Sequence, residues 1–413
     1  MPQNGQRLAA SVCRGWLSGA VLAVACAALL PAPASVQSPA APFAEHLLAG
    51  GYDYAYGLAA ADLDRDGDLD LTSSDTVNNV LYWYENDGKA NFRRRLVQEN
   101  EPGWFERHVV GDVNGDRLPD IVVVKNLDGH VVWFEGNRRP ADGPWRRHVV
   151  TTNCKRAYDV ELVDLDRDGD LDVAASAWNG NHLAWFENPG RTGAEREWVR
   201  RVIAEEVLET RTIRAADINR DGRPDLLATA RKSNLLVWYE NPAQRDAPWI
   251  PHPIEEKFLS PTHGQLYDVD RDGDPDVVIA FGMLEKAGTP NTNCVAWYEN
   301  LGRPGKGTVW QRHEVGELVG GFEAFAADLD GDRDVDLAAT AWRPDGMLVW
   351  FENPGRPDVL WARHVLKENW AHANQVIAAD LNGDRRSDLV ASAERGANEV
   401  RWWENRGTGR GRR

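Results

Sequence analysis

Residues 62–70 read DLDRDGDLD, five aspartates on alternate positions between the apolar runs GLAAA and LTSS. Like charges this close repel, so something must neutralise them. The unit returns as DVNGDRLPD at 112, DLDRDGDLD at 164, DINRDGRPD at 217, DVDRDGDPD at 268, DLDGDRDVD at 328 and DLNGDRRSD at 380. Copies spaced about 50 residues apart mark a propeller or a solenoid, and they argue against a single active-site carboxylate cluster.

Two further marks keep the same phase. Trp83, Trp133, Trp185, Trp238, Trp297, Trp350 and Trp402 each begin a W-aromatic-E-N/G tetrapeptide, 21 or 22 residues after the first Asp of their unit; in the fifth unit an insertion lengthens this to 29. An aromatic followed three positions on by His or Arg, as in WRRH at 145 and FAEH at 43, lies 18 to 20 residues before each first Asp. Short apolar runs separated by turn signals fill the space between, giving four strands per unit. This pattern predicts an all-β fold, a seven-bladed β-propeller of four-stranded antiparallel blades. The chain ends just after the third strand of the seventh unit, while its first structured segment, Phe43 to Leu48, matches a fourth strand. The N-terminal strand is therefore expected to complete the last blade and close the ring, leaving no open edge.

Positions 1, 3, 5 and 9 of each loop carry hard oxygen donors at a spacing that wraps calcium, and Gly at position 6 permits the sharp turn. The expected ligands are Asp62, Asp64, Asp66 and Asp70; Asp112, Asn114, Asp116 and Asp120; Asp164, Asp166, Asp168 and Asp172; Asp217, Asn219, Asp221 and Asp225; Asp268, Asp270, Asp272 and Asp276; Asp328, Asp330, Asp332 and Asp336; and Asp380, Asn382, Asp384 and Asp388. Magnesium suits such a set less well, because it prefers few carboxylates and several waters. The loops at 112, 328 and 380 move Gly to position 4 and place Arg117, Arg333 and Arg385 at position 6. A non-Gly residue held there in a left-handed conformation, together with a cation near the ion, predicts weaker calcium binding in those three.

With these loops the sequence resembles the FG-GAP repeats, also called VCBS-type repeats, of bacterial exported proteins and of the integrin alpha-subunit propeller. The likeness runs from residue 43 to 405. It implies a seven-bladed propeller with calcium in loops on one face and ligands or partners on the other. The literal FG and GAP signatures are not repeated and W-aromatic-E-N takes their place, so the likeness is to the bacterial branch and implies no integrin-like partner. Such a repeat specifies a fold far more closely than a function.

Arg7 and Arg14 precede an uncharged stretch from Gly15 to Leu30, and Ala32-Pro33-Ala34 follows. Residues 1–34 thus read as a secretory signal peptide, 35–42 as a linker, 43–405 as the propeller and 406–413 as a flexible tail. The apolar run is too short and too broken by Pro31 and Pro33 for a membrane span, and a lipoprotein anchor at Cys26 fits less well because apolar residues continue after it. The expectation is a secreted or periplasmic monomer. The formal charge is −17, and loss of Arg7 and Arg14 makes the remainder more negative still. This acidity argues against binding nucleic acid, which needs a basic face. Cys154 and Cys294 are too few for a disulfide framework; they either pair or stay free.

The copies disagree at one rim, formed by the connections into each first strand and out of each second strand. Six residues before the first Asp stand Tyr56, Glu106, Tyr158, Arg211, Thr262, Phe322 and Asn374. Tyr56, Trp104, Tyr158, Trp178, Arg211, Phe322, Trp342 and Trp370 are the candidate ligand-binding residues, suited to stacking on sugars and pairing with anions. The insertion at 282–293 falls on the same rim. His46, His148, His252, His313 and His364 belong to the repeated signature and read as structural, whereas His263 and His372 fall outside it. No Ser-His-Asp elbow, P-loop, Rossmann glycine pattern or HExxH helix is present. The sequence supports an exported, calcium-stabilised module that binds a glycan or an extracellular protein through this face. The alternative, suggested by propellers of related sequence, is a polysaccharide lyase or sugar dehydratase acting by β-elimination on an acidic sugar. Arg156 or Arg211 would then neutralise the carboxylate, with His263, His372 or Tyr158 as base.

Overall fold

The computed structural model of the protein describes residues 42–191, 197–302, 304–356 and 359–407. The expected signal peptide, Cys13, Cys26 and the tail beyond 407 lie outside the described residues. The described chain holds 28 strands, β1 to β28 in order, and a single 3-10 turn at Pro140–Asp142. The strands form four-stranded antiparallel sheets, all-β and propeller-like. In one sheet Ala55–Ala61 (β2), Asp70–Asp75 (β3), Val80–Glu85 (β4) and Arg93–Gln98 (β5) lie side by side in chain order. The same order begins again at Phe105–Gly111 (β6), Ala157–Val163 (β10), Thr210–Ala216 (β14), Pro261–Tyr267 (β18) and Gly321–Ala327 (β22). The sheets begun by β18 and β22 are joined by a parallel bridge, His263 to Glu323. The remaining sheet contains Ala373–Ala379 (β26), Asp388–Ala393 (β27), Glu399–Asn405 (β28) and, as its fourth strand, Phe43–Gly50 (β1). β1 pairs antiparallel with β28 from Phe43 opposite Asn405 to Gly50 opposite Glu399. First strands touch in sequence from β2 through β6, β10, β14, β18 and β22 to β26, and β26 also touches β2.

Composition explains the layering. Second strands such as DVAASA at Asp172–Ala177 (β11) and DLAATA at Asp336–Ala341 (β23) are buried at every position. Covered on both faces, they carry small and apolar residues in place of strict alternation. The repeated tryptophans lie between sheets, with Trp83, Trp133, Trp238 and Trp350 fully buried. Each repeated histidine stacks on the Trp of its own sheet, with centroids 4.0 to 4.4 Å apart for His46, His148, His252, His313 and His364. Its Nε2 lies 2.7 to 3.4 Å from the glutamate that follows that Trp. Arg95 and Arg201 fill the same place on Glu85 and Glu187, which explains the His-or-Arg alternation. Cys154 and Cys294 are buried and free, in separate core clusters.

The ninth residue of every Asp-rich loop has a structural role besides the expected one of oxygen donor. Asp70, Asp120, Asp172, Asp225, Asp276, Asp336 and Asp388 are almost wholly buried. One oxygen of each accepts the N–H of loop position 2, and the other accepts the N–H of the residue closing W-aromatic-E-N/G, at 2.7 to 3.1 Å. The carboxylate thus ties its loop to the third strand. The closing asparagine then reaches the loop of another sheet. Asn188, Asn241, Asn300 and Asn405 donate to the carbonyls of Val113, Leu165, Ile218 and Leu329, and Asn86 donates to Leu381.

Two outcomes follow. Replacing Asp172 by Ala strands two buried N–H groups and should lower unfolding free energy by about 3 kcal/mol, read from chemical denaturation; an unchanged midpoint would contradict the clamp. Deleting residues 43–49 exposes the edge of β28 and should lower the melting temperature in one cooperative transition, whereas an unaltered melt would show that β1 is dispensable.

Candidate functional site

The Asp-rich loops join the ends of first strands to the starts of second strands. Because the sheets are antiparallel, first-strand starts and second-strand ends lie at the other end, and there a cavity of about 430 Å³ opens. Six residues before the first Asp, Tyr56, Glu106, Tyr158, Arg211 and Phe322 line it; fourteen residues after, Asn126, Trp178, Arg231, Trp342 and Glu394 do so. Trp104, Arg156, Tyr54, Glu209, Lys232 and Arg395 complete the wall, with Met283 and Leu284 from the insertion.

Tyr56 and Tyr158 meet hydroxyl to hydroxyl at 2.5 Å. The Arg107 guanidinium lies 5.8 Å from the Tyr56 ring centroid, held by two bonds to Glu323 at 3.0 and 2.7 Å. Arg211 stands over Tyr158 and Trp178 and bonds Glu209 at 2.7 Å; Arg231 grips the same carboxylate at 2.6 and 2.7 Å. Burial works against charge on Glu209, but these two guanidinium groups hold it down at about 2. Arg156 lies over Trp178, 5.4 Å from the ring centroid. The Trp342 indole N–H donates to Glu394, and the Tyr54 hydroxyl lies beside the same carboxyl. Burial, reinforced by the charge of Glu394, pushes Glu106 up to about 8, and burial also raises Glu394, Tyr54, Tyr56 and Tyr158. The cavity therefore combines cationic groups, flat aromatic walls and one carboxyl, Glu106, that holds its proton near neutrality, a set that can bind an anion and exchange a proton.

Tyr56, Trp104, Tyr158, Trp178, Arg211, Phe322 and Trp342, with Arg156, are brought together as the rim reading expected. Three expected residues are placed elsewhere. Trp370 is buried in an inter-sheet core, edge-on to Trp403 with its N–H on Glu399. His263 lies fully buried on β18 against Tyr158 and Phe322, its Nδ1 3.1 Å from Thr212 Oγ1, and burial keeps it neutral by lowering its pKa well below the usual value. His372 packs on Trp342, with Nδ1 3.0 Å from the Arg395 carbonyl, and does not line the cavity. Glu394 and Arg395 were not singled out by sequence. Their signal was phase, fourteen and fifteen residues after the first Asp, where copies also disagree.

In four Asp-rich loops, carboxylate oxygens converge within 4.8 Å of one another and could hold an ion: Asp62, Asp64 and Asp66; Asp164, Asp166 and Asp172; Asp268, Asp270 and Asp276; and Asp328, Asp330 and Asp332. Partial burial, followed by the charge of the next aspartate, raises the pKa of Asp64 and Asp166; a cation would relieve that crowding. The strain expected to weaken the Arg-at-position-6 loops is not peculiar to them. Positions 4 and 6 are both left-handed in all loops: Arg65, Arg167, Arg220 and Arg271 take positive φ at position 4, whereas Arg117, Arg333 and Arg385 do so at position 6. Every loop carries one strained arginine, so the glycine swap moves the strain without adding any.

The Glu106 shift has a measurable sign. A carboxyl raised to about 8 in the folded state stabilises the fold below its ordinary range and loses that contribution as pH rises through about 8. Glu106→Gln should therefore gain stability relative to the parent between pH 5 and pH 9 in denaturation curves; parallel profiles would show that Glu106 does not carry the proton.

The FG-GAP-like repeat family matches residues 62–123, 112–175, 164–228 and 268–339, together more than half of the chain. Two solved structures of BBS1N in complex with ARL6DN, soaked with lead and with mercury, are similar in fold. Both are 12% identical, with TM-scores of 0.54 and 0.55, over 89% of this chain and 98% of theirs. No curated protein sequence matches the chain. In-phase Asp-rich loops, repeated four-stranded sheets and the matched segments lead to one assignment: the chain belongs to the FG-GAP-like repeat family.

Proposed function

We propose that the protein is an exported, calcium-stabilised interaction module, a monomeric seven-bladed β-propeller closed by β1 in the last blade, that binds a glycan or an extracellular protein in the cavity opposite its Asp-rich loops. The observation that carries the reading is the contrast between the two ends of the sheets. At one end each repeat supplies the same Asp-rich loop; at the other, equivalent positions supply Tyr56, Glu106, Tyr158, Arg211 and Phe322 to one cavity. A scaffold built from equal units has no structural need for this inequality, whereas a site does. Closure is supported by the β1 pairing with β28, by the contact of β26 with β2 and by the Asn86 bond to Leu381. Export, to the secreted or periplasmic space, rests on the uncharged stretch from Gly15 to Leu30. Among the described residues no helix is long and apolar enough to cross a membrane.

Calcium is supported by the hard oxygen donors grouped in the four loops, and bound there it would offset crowded carboxylate charge. Calcium should raise the melting temperature and a chelator lower it, with a smaller response in Asp64→Ala and Asp166→Ala; a melt indifferent to both additions would remove calcium from the account. A screen of labelled glycans and extracellular proteins against the parent and Trp178→Ala tests the module, and capture that ignores Trp178 would place binding elsewhere. The second reading, β-elimination on an acidic sugar, is favoured by the proton-holding Glu106 beside Arg156 and Tyr158. It requires unsaturated product from uronate polymers with the parent and none with Glu106→Gln.

A further inference from the structure

The cavity contains polar groups that the fold does not satisfy. Five Arg and Lys side chains line it against three Glu, in a chain whose formal charge is −17. Arg211, Arg231 and Lys232 all converge on Glu209, at 2.7, 2.6 and 3.4 Å. Arg156 has no ion-pair partner within 4.0 Å among the described residues; it lies over the Trp178 face, with Glu106 within reach of its charge. Across the same space the Glu106 carboxyl makes no hydrogen bond among the described residues, although the side chain is almost fully buried. Glu394, itself 2% exposed, has the Trp342 indole N–H and the Tyr54 hydroxyl beside its carboxyl.

An unpaired guanidinium needs an anion, and a planar carboxylate matches its fork. A buried carboxyl oxygen without a donor needs a hydroxyl, because leaving it unmade costs more than the bond itself returns. The indoles of Trp104, Trp178 and Trp342 offer flat apolar faces to the C–H surface of a ring. A dianion such as a phosphate ester fits less well, since the charge of Glu394 already raises the affinity of Glu106 for its proton. A cavity of about 430 Å³ suits a ligand of one to a few sugar rings.

We infer that the cavity binds an acidic sugar, a hydroxylated ring bearing a single carboxylate, with Arg156 taking the carboxylate and Glu106 taking a hydroxyl group. This rests on the reading of the cavity as a glycan site and sharpens it to one ligand class.

The test is calorimetric titration of the full, calcium-saturated chain with a short hexuronate oligomer, its carboxyl-reduced neutral form and a hexose phosphate. The hexuronate should bind about 10- to 100-fold more tightly than the neutral oligomer, and Arg156→Gln should erase that difference while leaving neutral binding in place. Equal affinity for the acidic and neutral oligomers overturns the inference and leaves the glycan site standing. Tighter binding of the hexose phosphate also overturns it. If no sugar binds to a chain shown by circular dichroism to be folded, the glycan reading fails with it.

Discussion

Both oxygens of the last aspartate in each Asp-rich loop are spent on backbone N–H groups, one from its own loop and one from the end of the third strand. That carboxylate holds the loop between first and second strands against the strand two places on, so it sets how each sheet begins. The asparagine beside the second N–H then reaches a neighbouring sheet. Burial pushes most of these seven carboxyls up to about 7, and the two backbone donors work against that rise. An aspartate at this position is accordingly an element of packing before it is anything else. Glutamate, one methylene longer, would place its oxygens beyond both donors.

Stability concentrated at that end leaves the other end free to vary. In five sheets a histidine stacks on the Trp and meets the Glu of its own sheet, and the small residues of second strands pack on both faces. The cavity is the reverse. Its guanidinium and carboxyl groups come from different sheets and are only partly satisfied by one another, as with Arg156 and Glu106. Poorly matched polar groups in a partly buried space are costly to a fold and useful to a ligand. The cationic lining within a strongly acidic chain fits the same division, because anions repelled by the net charge find attraction in that lining.

Much of this architecture was legible because it repeats. The phase of DxDxDGxxD, W-aromatic-E-N and the aromatic before His or Arg located strand after strand, including β1 as a displaced fourth strand, and Tyr158, Trp178 and Trp342 were found as departures from phase. Other features were hidden for physical reasons. Asp172 looks like any other acidic loop residue, yet its two backbone partners lie 7 residues before it and 16 after it. Trp370 stands in a rim connection as Trp104 does, but its indole turns inward to Glu399. The left-handed arginines at position 4 are invisible in a pattern that assigns the strained place to glycine alone.

Sequence alone determined the repeat, the strand count per unit, the grouping of oxygen donors and the rim at which copies diverge, since each is a periodicity written along the chain. Only the tertiary structure decided which divergent residues meet. Glu106, Arg156 and Glu394 come from sheets far apart in sequence and line one cavity. It also decided that His263 is buried beneath Tyr158 and Phe322. Orientation and burial depend on neighbours that the linear order does not place side by side.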